Sequence, residues 1–217
     1  MTTVHATHTT FVRALAAVAL AALGASGCSQ FLRDQGRSPS QLAILTLEAA
    51  SGAQPTAFGG TLDSDVITNV KRTVGGAEVR IPTVFSDAAR VTMRLFLKDQ
   101  GVPGVGATPT PVNQVTITRY RVVYRRSDGR NTPGVDVPYP FDSATTFTIP
   151  TDASVTQSFE LVRHTSKQEA PLAELRSSSV IISTVADITF YGRDMAGNEI
   201  AATGSIGILF GNFGDPE

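Results

Sequence analysis

The chain has no tryptophan, one cysteine, three lysines and three histidines among its 217 residues. Each scarcity excludes something. A single cysteine cannot close an intrachain disulfide, so the folded part must be held by packing alone. The absence of tryptophan argues against the aromatic platforms of many carbohydrate-binding modules. His5 and His8 fall within the first 27 residues, which leaves His164. One cysteine and one histidine do not make a tetrahedral zinc site, and no cofactor is implied. No Gly-x-Ser-x-Gly occurs after residue 27, and nothing marks a nucleophile beside His164. The chain therefore reads as non-enzymatic, with an exposed histidine at a strand end and a small envelope hydrolase as the remote alternative. Long apolar runs are also missing. The longest, residues 14–27, has fourteen residues, whereas a membrane-spanning helix needs about 20. Nor is there a charge excess: the formal net charge is −1, which offers nucleic acid no long-range attraction.

The run at residues 14–27 has another use. Arg13 precedes it, small residues end it, and Cys28 follows at once. A basic start, a short apolar core and a small-residue processing point are the parts of an export signal. Ser26-Gly27-Cys28 resembles the lipobox of bacterial lipoproteins, although Ala25 stands where that family favours leucine and Leu23 lies two residues earlier. The resemblance implies removal of residues 1–27, acylation of Cys28 and attachment to a membrane through the covalent lipid. Ser29, rather than aspartate, after the cysteine implies the outer membrane of a diderm bacterium. Residues 28–40 then form a lipidated tether, and residues 41–217 the folded domain.

That domain reads as all-β. Residues 89–98 (ARVTMRLFLK) alternate apolar and polar, as a half-buried strand does. Residues 115–126 (VTITRYRVVYRR) do the same, placing Tyr120, Val122 and Tyr124 on one face. Residues 42–47 predict a first strand, with a helix as rival. Residues 61–70, 135–139, 145–149, 155–163, 180–190 and 200–210 predict further strands. Gly75-Gly76 and Pro82 read as punctuation, and residues 169–175 as one or two helical turns. The polar turn at residues 193–199, with Gly197-Asn198 at its centre, joins the last two strands as a β-hairpin. Many short strands separated by turn signals predict a two-sheet sandwich. Ile188, Phe190, Ile206 and Ile208 complete its expected core, and a bulge at Gly192 leaves the side taken by Tyr191 open.

Two segments carry a second resemblance. Residues 117–129 (ITRYRVVYRRSDG) look like the third strand of a fibronectin type III domain, and residues 187–198 (DITFYGRDMAGN) like its last hairpin. The resemblance implies an immunoglobulin-like antiparallel sandwich. It also places the Gly/Pro-rich loop 101–113 and the turn 193–199 at the same end. An unknown protein or glycan partner would meet the chain there, with Met195 and Asn198 at the contact. A second candidate surface is the stripe Arg119, Arg121 and Arg125, which faces away from Tyr120, Val122 and Tyr124 and is extended by Arg126 and Arg130. The alternative is a solvated sheet face with cross-strand ion pairs. Asp63, Asp65, Asp194 and Asn198 offer oxygen ligands of the kind calcium takes, but such residues also stabilise turns by bonding their own backbone; no metal is assigned.

Overall fold

The computed structural model of the chain describes residues 36–99, 101–102, 105–106 and 108–215. Ser38–Glu217 form one compact unit, separate from Met1–Arg37. Its strands are β1 (Ser40–Ala50), β2 (Thr61–Asp65), β3 (Thr68–Val74), β4 (Ala77–Thr83), β5 (Asp87–Leu97), β6 (Gly101–Val102), β7 (Val105–Gly106), β8 (Val115–Arg125), β9 (Phe141–Ile149), β10 (Val155–Val162), β11 (Ile182–Asp194) and β12 (Glu199–Gly211). One sheet has the order β1-β5-β10 and the other β2-β12-β11-β8-β9. All pairs within them are antiparallel except β2 with β12. The unit is an all-β sandwich, as the alternation predicts.

The core lies where the period-2 pattern puts it. Ala89, Val91, Met93 and Leu95 of β5 face Tyr120, Val122 and Tyr124 of β8, and all are buried. Ile188, Phe190, Ile206 and Ile208 are buried beside them. The Tyr120 ring packs edge-on to Phe159, with ring centres 5.0 Å apart, and Phe159 packs edge-on to Phe190 at 5.2 Å. A tyrosine in a core needs a partner for its hydroxyl. Tyr120 Oη donates to the Glu160 carbonyl at 2.9 Å, and Tyr124 Oη to the Leu161 carbonyl at 2.7 Å. Both carbonyls lie on β10, where its register against β5 shifts between Glu160 and Val162. Two hydroxyls from one sheet thus bond backbone of the other across the core.

Several expectations need correction. The strand expected at 42–47 is eleven residues long, Ser40–Ala50, with a register shift between Ile44 and Thr46. The single strand expected at 61–70 is two, β2 and β3, parted at Val66-Ile67. Gly75-Gly76 do more than punctuate. Both have positive φ, 61° and 85°, and they form the two-residue turn of the hairpin β3–β4, which pairs with no other strand among the described residues. Residues 135–139 are not a strand: Thr132, Pro133 and Gly134 turn onto Asp136 and Val137, with the Gly134 N–H donating to the Val137 carbonyl. The helical turns lie at Ser166–Gln168 and Leu172–Ser177 and are of the tighter 3-10 kind. Tyr191 faces outward. The register of β11 against β8 shifts between Tyr191 and Gly192, and a Cβ on Gly192 would sit 2.3 Å from the Thr116 carbonyl oxygen. Glycine is required by that close approach.

The two ends of the sandwich differ. At one, the chain arrives through Ser38, Ser40 pairs with Leu97, and Val115 pairs with Asp194. This is the Ser38 end. At the other, Ala50 pairs with Ala88, Asp65 pairs with Gly211, and the β3–β4 hairpin leaves the sheets. The thirteen residues of β11 run between the ends, about 43 Å at 3.3 Å per residue.

Candidate functional site

Cys28 lies outside the described residues. The remaining candidates can be placed.

Arg119, Arg121 and Arg125 share the outer face of β8, as expected, and each has a partner. Asp142 of β9 receives Arg121 Nη1 at 2.6 Å and Arg119 Nη1 at 3.3 Å. The Arg119 guanidinium also stacks 3.7 Å from the centre of the Tyr191 ring. Arg125 holds Asp187 of β11 through two nitrogens, and Ser205 of β12 donates to the same carboxylate. The Arg125 hydrogen bond keeps the Asp187 carboxyl below the usual aspartate range. Arg126 and Arg130 share Asp128, whose carboxyl the Arg126 hydrogen bond lowers strongly. The stripe is therefore a ladder of cross-strand and local ion pairs. The charge available to an anionic ligand is largely answered by carboxylates already in place.

Met195 and Asn198 share the turn between β11 and β12, and the turn organises itself around Asp194. The Asp194 carboxylate accepts from the backbone N–H groups of Ala196 and Asn198 and from Asn198 Nδ2. Burial alone would raise this carboxyl; the Asn198, Ser38 and Ala196 hydrogen bonds bring it below its ordinary value. Asn198 is thus occupied inside the turn, while Met195 stands 64% exposed at its apex. Asp65 is spent in the same manner, accepting from Thr68 Oγ1 and from the N–H groups of Ile67 and Phe213. A cleft of about 270 Å³ opens beside Asp63 and Asp65, with Gln54, Gly59 and Phe213 in its wall. Among the described residues no three acidic, histidine or cysteine side chains gather as a metal site would require. His164 is exposed at the end of β10, its backbone N–H donating to Ser86 Oγ.

Asn113, which closes the loop 101–113, and the turn 193–199 both lie at the Ser38 end. Ser40 Oγ donates to the Asn113 carbonyl at 2.9 Å, and the Ser38 hydroxyl donates to Asp194.

One polar cluster escapes sequence reasoning altogether. Lys167, in the first 3-10 turn, is 0% exposed. Its Nζ donates to Asp87 Oδ1 and to the Asp65 carbonyl, both at 2.8 Å. Asp87, the first residue of β5 and also fully buried, accepts from Ser64 Oγ at 2.6 Å and from the Gly52 N–H at 2.8 Å. Burial raises the Asp87 carboxyl, with Lys167 and these donors pulling against it. A Cβ on Gly52 would lie 2.2 Å from the Ser86 carbonyl oxygen, so glycine there lets the loop after β1 reach the carboxylate. The cluster joins that loop, β2, β5 and the 3-10 turn at the hairpin end. It is sealed from solvent, and its chemistry is that of an ionic lock. Scarcity was the only available signal: three lysines make each one a candidate for a dedicated role.

No family model matches the chain, and neither the curated proteins nor the solved structures contain a match to it.

Proposed function

We propose that the chain is a cell-envelope lipoprotein, anchored through acyl chains on Cys28, whose sandwich is a non-enzymatic binding or structural module of the immunoglobulin-like type. The observation that carries the anchor is the order Arg13, apolar run, Ser26-Gly27-Cys28 in a chain with no other cysteine. Acyl chains attach a protein by about 0.8 kcal/mol per buried CH₂, and more than one chain makes the attachment lasting. The strand order supports the immunoglobulin-like reading. With β2 and the β3–β4 and β6–β7 hairpins set aside, the first, second and fifth of the strands β1, β5, β8, β9, β10, β11 and β12 part from the rest in the family's manner. β1, β5 and β10 lie in one sheet, and β8, β9, β11 and β12 in the other. The ionic lock replaces the inter-sheet disulfide as the buried tie of a cysteine-poor domain. By resemblance of Ser29 to the sorting pattern, the membrane is the outer membrane of a diderm cell, and the partner is an envelope protein or glycan.

Mass spectrometry of the native mature N-terminus tests the anchor. An acylated Cys28 is expected at residue 1 of the processed chain. A mature chain that begins elsewhere, or an unmodified Cys28, defeats it. Cys28→Ala should remain unprocessed or leave the membrane fraction.

A further inference from the structure

We propose that the Ser38 end of the sandwich rests on the bilayer, with Phe96, Val112 and Met195 at the lipid headgroup boundary. The inference rests on acylation of Cys28. Nine residues lie between Cys28 and Ser38, and the ten Cα-to-Cα steps they make span at most about 35 Å. The tether therefore keeps this end of the domain within that distance of its lipid. The opposite end begins about 43 Å further along the strands.

The end so held presents apolar side chains around the point where the tether arrives. Met195 is 64% exposed in the turn whose Asp194 accepts from Ser38. Val112 is 57% exposed, next to the Asn113 carbonyl that accepts from Ser40. Phe96 is 43% exposed, next to Leu97, which pairs with Ser40. The Arg94 guanidinium stands 5.6 Å from the Phe96 ring centre, a cation placed for anionic headgroups. The flanks of the sandwich are more polar, although Leu45 and Val123 are exposed on them. The outer faces carry threonine pairs (Thr92 with Thr156, Thr116 with Thr148, Thr189 with Thr203) and the arginine–aspartate ladder. A flank laid on lipid would have to desolvate these polar groups. A short tether raises the local concentration of bilayer at the near end, so contacts too weak to bind the free domain suffice when it is anchored. The turn 193–199 then faces lipid, and a soluble partner approaches from the β3–β4 hairpin or the flanks.

The test uses the full mature lipoprotein in vesicles of phosphatidylethanolamine and phosphatidylglycerol. Met195→Cys and Val74→Cys, each on an exposed turn or strand end, receive a nitroxide spin label. Accessibility to oxygen and to an aqueous nickel chelate is read by power saturation. A label at Met195 should favour oxygen over the chelate several-fold more than a label at Val74. Equal exposure of both labels to the chelate overturns the inference, leaves the anchor standing, and returns the turn 193–199 to the candidates for a soluble partner. The parent chain is the control for the anchor. An acylated Cys28 takes no label, whereas labelling of the parent shows a free thiol and removes both the anchor and the membrane contact that depends on it.

Discussion

The outer face of β8 and the interior of the hairpin end use the same chemistry, a cation against a carboxylate, under opposite conditions. Arg121 meets Asp142 at 2.6 Å with both side chains more than two-fifths exposed. Lys167 meets Asp87 at 2.8 Å with both sealed. The distances are nearly equal and the consequences are not. Water screens the first pair and supplies either partner with an alternative, so exposed pairs contribute about 0–1 kcal/mol. The second pair has no alternative. Its charges can be tolerated only together, with Ser64, Gly52 and the Asp65 carbonyl completing their hydrogen bonds. Geometry alone does not rank ion pairs; the loss of water does.

The largest expected effect is at the sealed pair. Lys167→Met strands a buried carboxylate and should cost about 3–5 kcal/mol, read as a fall in the urea midpoint. Lys167→Met combined with Asp87→Leu should recover most of that loss, because no charge is left to strand. A double variant as unstable as the single one would mean that the hydrogen bonds, not the charges, hold this end. The single variant should also gain stability as pH falls. Burial raises the folded Asp87 carboxyl above its ordinary 3.8. The folded state therefore takes up a proton before the unfolded state does, and stability rises as pH drops towards the unfolded value.

Tyr120→Ala serves as the apolar reference. It removes a buried ring and should cost about 3–5 kcal/mol, with no dependence on salt. Tyr124→Phe should cost less, about 1–3 kcal/mol, since the Leu161 carbonyl loses its donor while the ring remains. Both are read by the same denaturation.

Arg121→Ala belongs to the exposed side of the comparison and should change stability by less than about 1 kcal/mol, with most of that change gone at high salt. A loss as large as that of Lys167→Met would erase the distinction between the two regions. The smallest effect is at Asp187. Its folded carboxyl titrates below the ordinary 3.8 because Arg125 holds it. Its stabilisation is therefore complete above the unfolded value and is lost as pH falls through the lower folded one. Asp187→Asn should lower stability slightly at neutral pH, with the difference from the parent vanishing as pH falls through the folded value, so that the acid limb flattens.

The two regions were also unequal in sequence. The arginine stripe was visible because β8 alternates without a break, so one apolar face implies the other. The same period located β5 and the hairpin β11–β12. The β3–β4 hairpin stayed hidden because Lys71, Arg72, Glu78 and Arg80 mix with its apolar residues and residues 71–82 are all exposed. With neither face buried, no alternation is enforced. Residues 135–139 misled in the other direction, since prolines at both ends of a short apolar segment fit an edge strand and a turn equally well. Lys167 was out of reach for a different reason. Its burial depends on Asp87, eighty positions earlier, and no local pattern records such a partner.

The positions of the two chain ends set how the domain would carry a load. The chain enters the sandwich at the Ser38 end, while β12 finishes at Gly211 at the other. Tension between these points runs along the strands. It would slide β1 past β5 across ten paired positions and β2 past β12 across five, loading their hydrogen bonds together rather than one after another. Pulled in this direction, the sandwich resists in shear. A force that lifted Ser40 sideways from Leu97 would instead peel the same ten pairs apart in turn.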